Sequence, residues 1–511
     1  MFRKALSITV LTLLLSTSCS AYIHPIVIRG NYFVDSVTNK PFYIKGVDYQ
    51  PGGSSGVSEL SDPLSDPLTC ARDALLFQDL GINTIRVYSI NPDLNHDICM
   101  SILAAADIYL VLDVNSPQPN QHLNRYDPSS TYTESYLEHV FKVVEQFSYY
   151  NNTLGYFAGN EIINDRVSAK HSTVYIKALI RDMKTYIEYN SPRTIPVGYS
   201  AADDLQYRIS LSDYLECIDK NPNESVDFYG VNSYQWCGEQ TFYTSGYNVL
   251  VDDYSTYSRP VFFSEYGCNE VTPRSFGEVQ TLYSNDMVDV FSGGLIYEFT
   301  QEPNNYGLIQ IEDNGNVQLL PDYFALKSQY QSIPDIDYQR IAINMRMNSK
   351  ELQAKAKTQK YPQPQCQQTY DNLDISKGVP PSIADNLIER GVDVHIGKFV
   401  EISDSQLHTK FGYSKSNGEV YQIDHNILRV NDHMSGSEVK GKNRAGGFQN
   451  CTYDEIDNEK FGDEVIDDDY NETEEDTEEY TDEDDTGESS NPFSIIINKV
   501  SDFVHRLSHH S

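Results

Sequence analysis

The chain has 511 residues and a formal charge of −36, from 74 acidic against 38 basic side chains. That length accommodates two or three domains with ample core. So acidic a chain is excluded from gripping nucleic acid, which needs clustered Lys and Arg; roughly half of the excess lies in one C-terminal stretch and says little about an active site.

Met1-Phe2-Arg3-Lys4 is a basic start, residues 5–15 are apolar, and small residues follow to Ala21. This pattern predicts a secretory signal peptide over 1–21, with an apolar run too short to span a bilayer. Export permits disulfides. Without Cys19, the cysteines are Cys70, Cys99, Cys217, Cys237, Cys268, Cys366 and Cys451, an odd number that leaves one over. With no Cys-x-x-Cys pair and scattered histidines, no metal site is expected. Sequons at Asn151, Asn223, Asn450 and Asn471 fit a glycosylated exported protein.

From residue 42 to about 302, short apolar runs alternate with longer segments of helical spacing. The runs are 42–50, 82–90, 108–115, 154–161, 195–203, 226–235, 260–268 and 294–302. The helical segments include 93–105, 133–150, 174–189 and 275–290. Eight strand–helix units in one stretch predict an α/β fold, a (β/α)8 TIM barrel within residues 22–337. An open doubly wound sheet is disfavoured, because the turn after the first run (residues 50–56, QPGGSSG) lacks GxGxxG spacing.

Each predicted strand ends in groups that hydrogen-bond sugars. These are Tyr49 and Gln50, Arg86 and Tyr88, Asp113 and Asn115, Asn160 and Glu161, Ser200 and Asp203, Asn232 and Tyr234, Glu265, then Tyr297 and Glu298. In this barrel, chemistry is done at the C-terminal strand ends.

Residues 338–364 are polar and read as a linker or strap. Residues 379–430 return to short alternating runs, with Asn417-Gly418 as a hairpin signal, and predict a small β-rich lobe. The linker and lobe together occupy 338–450. Residues 451–490 are dominated by Asp and Glu and predict a disordered acidic tail. Residues 491–511 predict an amphipathic helix. Ser489-Ser490-Asn491 offers a small-residue site, but the charged segment after it makes a weak glycolipid-anchor signal.

The stretch around which the barrel is organised is 260–268, an apolar strand that ends in Glu265. A lone buried carboxylate is costly, so Glu265 needs a partner and a purpose. Glu161, ending the fourth strand, lies across the barrel mouth from the seventh. Two facing carboxyls are what glycosidic cleavage needs: one protonates the leaving oxygen, the other attacks the anomeric carbon. Asn160 is placed to hydrogen-bond the sugar 2-hydroxyl, and Tyr234 to keep Glu265 ionised.

Long stretches of the chain resemble glycoside hydrolase family 72, the β-1,3-glucanosyltransferases of fungal cell walls. They include 46–55 (GVDYQPGGSS), 81–88 (GINTIRVY), 152–164 (NTLGYFAGNEIIN), 227–238 (DFYGVNSYQWCG) and 260–269 (PVFFSEYGCN). The resemblance runs from about residue 26 to about 430. It implies Glu161 as general acid/base and Glu265 as nucleophile, with Gln50, Tyr88, Asp113, Asn160, Tyr234, Tyr297 and Tyr306 lining the subsites. It implies disulfides Cys70–Cys99, Cys217–Cys366 and Cys237–Cys268, leaving Cys451 unpaired. It also implies no cofactor, β-1,3-glucan donor and acceptor chains as partners, and a secreted protein of the cell wall or cell surface. The chain lacks the cysteine-rich carbohydrate module of the longer subgroup. Two further departures are Gln235, where the family usually carries an acid, and a longer loop at 116–124; they motivate the competing reading of a non-catalytic or weakly hydrolytic glucan-binding wall protein.

Overall fold

The computed structural model describes residues 22–53, 56–358 and 363–431. The signal segment, Asn450, Cys451, Asn471, the acidic tail and the C-terminal amphipathic segment lie outside the described residues. Two strands, β1 (Ile26–Arg29) and β2 (Tyr32–Asp35), form an antiparallel hairpin that the sequence reading does not contain. Eight parallel strands then close a barrel: β3 (Ile44–Asp48), β4 (Thr84–Val87), β5 (Tyr109–Asp113), β6 (Thr153–Asn160), β7 (Val197–Ala202), β8 (Phe228–Ser233), β9 (Val261–Tyr266) and β10 (Phe291–Ile296). Pairing of β10 with β3, Gly293 opposite Ile44 through Ile296 opposite Val47, makes the closure. The eighth strand lies three residues earlier than its predicted start at 294.

Helices surround the barrel in chain order: α1 (Pro67–Leu80), α2 (Asp97–Ala105), α3 (Pro128–Thr131), α4 (Glu134–Phe147), α5 (Arg166–His171), α6 (Thr173–Asn190), α7 (Arg208–Glu216), α8 (Tyr247–Tyr254) and α9 (Glu278–Leu282). Their ends follow local chemistry. The Asp66 carboxylate accepts from Leu68 N, Pro67 opens α1, and Gly81 at φ 73° closes it. Thr133 caps α4, which buries Leu137, Val140, Phe141 and Val144 at four-residue and three-residue spacing. Each such side chain stabilises the fold by about 1.5–3 kcal/mol. The helix predicted over 275–290 is only α9; Ser284 accepts from Asp286 N and turns the chain instead.

The hairpin stoppers the N-terminal end of the barrel. Phe33 meets Phe228 and Phe262 with ring centroids 5.8 and 5.9 Å apart, and Phe157 completes the cluster. The Phe228 ring fits because residues 155 and 198 are glycine: a Cβ there would lie 2.7 and 2.3 Å from ring carbons. With that end filled, the described barrel is left open at its C-terminal mouth.

Beyond the barrel, β11 (Ile309–Ile311) and β12 (Val317–Leu319) precede α10 (Pro321–Gln331) and α11 (Tyr338–Thr358). The segment expected as a linker is thus mostly helix: Ile341 is buried, Met345 packs one turn on, and Arg340 pairs with Asp289. The chain then has one short helix, α12 (Asp385–Arg390), and one strand, β13 (Tyr413–Lys415), which joins β12 in a three-stranded sheet. The Asn417-Gly418 turn is present, with Val420 bridging back to Ser414 and Gly418 at φ 82°. The expected lobe is otherwise a strap around the helices, because its backbone groups find barrel partners before they find one another. Pro380 O accepts from Arg181, Lys398 N donates to Asp97, and Val430 N donates to Ala105 O. Cys217–Cys366 anchors the start of the strap. No described helix is long and apolar enough to cross a membrane.

Candidate active site

Glu265, in β9, is 7 % exposed and held from both sides. Its Oε1 accepts from Tyr88 OH at 2.8 Å and Arg86 Nη1 at 3.2 Å, and its Oε2 accepts from Tyr234 OH at 2.8 Å. Arg86 is fully buried; its Nε and Nη2 grip Asp113 with two bonds of 2.9 Å, and its Nη1 also reaches Ser264 O. The guanidinium carbon lies 4.3 Å from the Tyr88 ring centroid and 4.6 Å from that of Phe157, so it has no room to swing. Burial pushes Glu265 above the usual carboxylate range; Arg86 opposes, the Glu161 charge adds, and the two phenols oppose.

Glu161 follows the last residue of β6 with φ 45°, a left-handed backbone that a non-glycine residue holds only when its surroundings enforce it. The enforcing contacts are Glu161 N to Ser200 O at 2.9 Å and Asn232 Nδ2 to its Oε1 at 2.9 Å. Asn232 is the register partner of Glu265 on the adjacent strand. The Asn232 amide therefore links Glu161 to the strand position beside Glu265, and the Glu161 charge adds to the upward push on Glu265. Asn160 accepts at Oδ1 from Ser200 Oγ and Asn232 Nδ2, at 2.8 and 3.1 Å, which leaves its own NH2 to donate outward. Ser200 and Ser264, 2.9 Å apart, complete this network under the carboxyls.

The predicted aromatic residues converge. Tyr297 lies 6.4 Å from Tyr88, 6.3 Å from Tyr234 and 5.2 Å from Tyr306 by ring centroids, all edge-to-face. They form a wall against which a pyranose can stack. Gln50 and Asp113 are brought to the same place but are committed to protein. Gln50 Oε1 accepts from the backbone of Tyr88 and Ser89, and Asp113 is spent on Arg86. Their immediate work is to fix the residues that hold Glu265.

Sequence reasoning gives Arg86, Ser200 and Asn232 only as strand-end polar groups, and it does not single out Ser264 or Asp48. The alternation of side chains along β3, β4, β7, β8 and β9 is the signal that points all five inward. The disulfides Cys70–Cys99, Cys217–Cys366 and Cys237–Cys268 are formed. The last clips the loops after β8 and β9 beside Glu265. Gln235 is half-buried, with a buried Nε2 that has no partner among the described residues. The 116–124 loop is pinned back on itself, Ser116 N to Gln121 O, and Gln118 reaches Val57 O. Asn151 and Asn223 are both partly exposed.

A closed parallel barrel with paired carboxyls and an aromatic wall at its C-terminal mouth defines an enzyme acting on glycosidic bonds. Residues 15–334 match the family model of glycoside hydrolase family 72, described as glucanosyltransferase. The chain is 58 % identical over 402 residues to 1,3-beta-glucanosyltransferase GAS4 of Saccharomyces cerevisiae, covering 78 % of this chain and 83 % of that protein. It is 46 % identical over 437 residues to gel2 of Aspergillus fumigatus, covering 83 % and 88 %. Among solved structures it is similar to S. cerevisiae Gas2p in complex with laminaritriose and laminaritetraose. That likeness has a TM-score of 0.58 at 41 % identity, over 63 % of this chain and 72 % of that one. The chain belongs to glycoside hydrolase family 72.

Proposed function

We propose that this enzyme is a β-1,3-glucanosyltransferase working by double displacement, with Glu265 as nucleophile and Glu161 as general acid/base. In the first step Glu265 Oε attacks the anomeric carbon while Glu161 protonates the departing oxygen, giving a covalent glycosyl-enzyme. In the second step Glu161, now ionised, takes the proton from the 3-hydroxyl of an incoming glucan, which displaces Glu265. The observation that carries this reading is the set of three donors on Glu265, from Tyr88, Tyr234 and Arg86. They hold an anion ready at a buried position and accept it back as a leaving group. Asn160 supplies the donor for the sugar 2-hydroxyl, whose bond strengthens as charge develops.

Transfer exceeds hydrolysis when an acceptor sugar fills its subsites and keeps water out. The wall of Tyr88, Tyr234, Tyr297 and Tyr306 suits that task. The Gas2p complexes support glucan binding, since their ligands are laminari-oligosaccharides. The predicted signal segment and the sequons support secretion to the fungal wall, with Asn151 and Asn223 as glycan sites. The complete donor set favours catalysis over the glucan-binding reading, which rests on Gln235 and the 116–124 loop, since the donors to the two carboxyls among the described residues are Arg86, Tyr88, Tyr234 and Asn232.

The test is the product profile from one pure laminari-oligosaccharide. Products longer than the substrate are expected. Shorter products alone would reduce the activity to hydrolysis, and an E265Q variant with full turnover would remove the mechanism.

A further inference from the structure

Asp48 ends β3 at the floor of the site and has no exposure to solvent. Neither of its carboxyl oxygens has a hydrogen-bond partner among the described residues. It is the register partner of Arg86 on the neighbouring parallel strand, so both side chains leave the sheet on the same face. That guanidinium is already spent on Asp113, Glu265 and Ser264 O.

We propose that Asp48 is held as a protonated acid beneath the nucleophile, which leaves Arg86 to serve Asp113 and Glu265 alone. This rests on Glu265 being the nucleophile. Around Asp48 stand Arg86 from β4 and Tyr88 just after it, Asp113 from β5, Tyr234 after β8, Glu265 from β9, Tyr297 and Glu298 after β10, and Tyr330 from α10. This is several carboxyls around one guanidinium. An ionised carboxylate at 48 would have no donor among the described residues, a costly state for a buried group. It would also compete with Glu265 for the charge of Arg86. A neutral acid does neither. Burial drives Asp48 well above the ordinary aspartate range; Arg86 opposes, and Glu265, Glu298 and Asp113 add to the shift.

The experiment is infrared spectroscopy of the full chain in neutral buffer, wild type against Asp48→Asn. The wild type is expected to show the carbonyl stretch of a protonated carboxylic acid that Asp48→Asn lacks; identical spectra in that region overturn the proposal. A pH titration of the same band supplies the arm that needs no change at Asp48. In Glu265→Gln the neighbouring anion is gone, so the band is expected to vanish at lower pH than in wild type, and an unmoved midpoint overturns the proposal. The kinetic readout is the acid-side midpoint of kcat/KM. A neutral Asp48 leaves that midpoint in place on substitution by Asn. A downward move of about one unit would mean that an anion had been removed, against the proposal. The infrared band does not depend on turnover, so its absence would sink the role of Asp48 and leave the glycosidase reading intact; a fully active Glu265→Gln enzyme would remove the nucleophile, and with it the role of Asp48, while the band still reported the protonation of Asp48.

Discussion

Tyr234→Phe separates the hydrogen bond on the nucleophile from everything else the ring does. The phenol donates to Glu265 Oε2 at 2.8 Å, whereas Oε1 has two donors, Tyr88 and Arg86. Phenylalanine keeps the ring packed against Tyr297 and Tyr306. A hydrogen bond to a charged group is worth about 1.5–3 kcal/mol, and one pKa unit is about 1.4 kcal/mol, so roughly one to two units are at stake. The sign follows from the direction of that bond's effect: it lowers the Glu265 pKa, and its loss raises it. Activity that needs ionised Glu265 then disappears earlier as pH falls, and the acid-side midpoint of kcat/KM moves up. Tyr88→Phe is expected to move it less, since Arg86 still serves Oε1. The assay is kcat/KM across pH with a laminari-oligosaccharide for wild type and both variants. An unmoved or lowered midpoint in Tyr234→Phe, or a larger shift in Tyr88→Phe, refutes the reasoning.

Three further outcomes are expected. Glu265 resists ionisation in the fold, so at neutral pH it costs stability, and the cost disappears below the unfolded carboxylate pKa of about 4.3. Glu265→Gln should melt above wild type at neutral pH, with the gap closing as acid is added; calorimetry across pH checks this. Breaking Cys217–Cys366, which spans 149 residues, should cost about 2–5 kcal/mol in denaturant titrations yet spare turnover at low temperature, because the strap keeps its backbone bonds to the helices. Gly198→Ala would place a Cβ 2.3 Å from the Phe228 ring and should destabilise by about 1–3 kcal/mol, with partial recovery in the double variant Gly198→Ala/Phe228→Leu.

The barrel was legible because eight apolar runs, each ending in a polar residue, have one simple explanation. The two glutamates could be picked out for a related reason: each stands at or just past the end of a mostly apolar run. What escaped the sequence depended on partners distant along the chain. Ile26–Arg29 and Tyr32–Asp35 are too short to announce a hairpin, and only the barrel's phenylalanines give Phe33 a place to go. Residues 379–430 alternate as a β lobe would, but their backbone groups bond to Asp97, Ala105 and Arg181 on the barrel. Polarity hid the helix at Tyr338–Thr358, where a narrow buried edge at Ile341 suffices. The standing of Gln50 and Asp113 was equally invisible. As strand-end polar groups they read as sugar contacts, and only the geometry commits them to Tyr88 and Arg86.

The most direct measurement traps the intermediate. A laminari-oligosaccharyl fluoride with fluorine at the 2-position of its reducing-end sugar forms the glycosyl-enzyme and breaks it down slowly. Digestion and mass spectrometry then locate the added sugar. The expected result is one label per chain, on Glu265, absent in Glu265→Gln and released by an acceptor glucan as a longer oligosaccharide. A label on Glu161 or Asp113, or continued turnover of laminari-oligosaccharides with no covalent adduct at any carboxyl, would contradict the account.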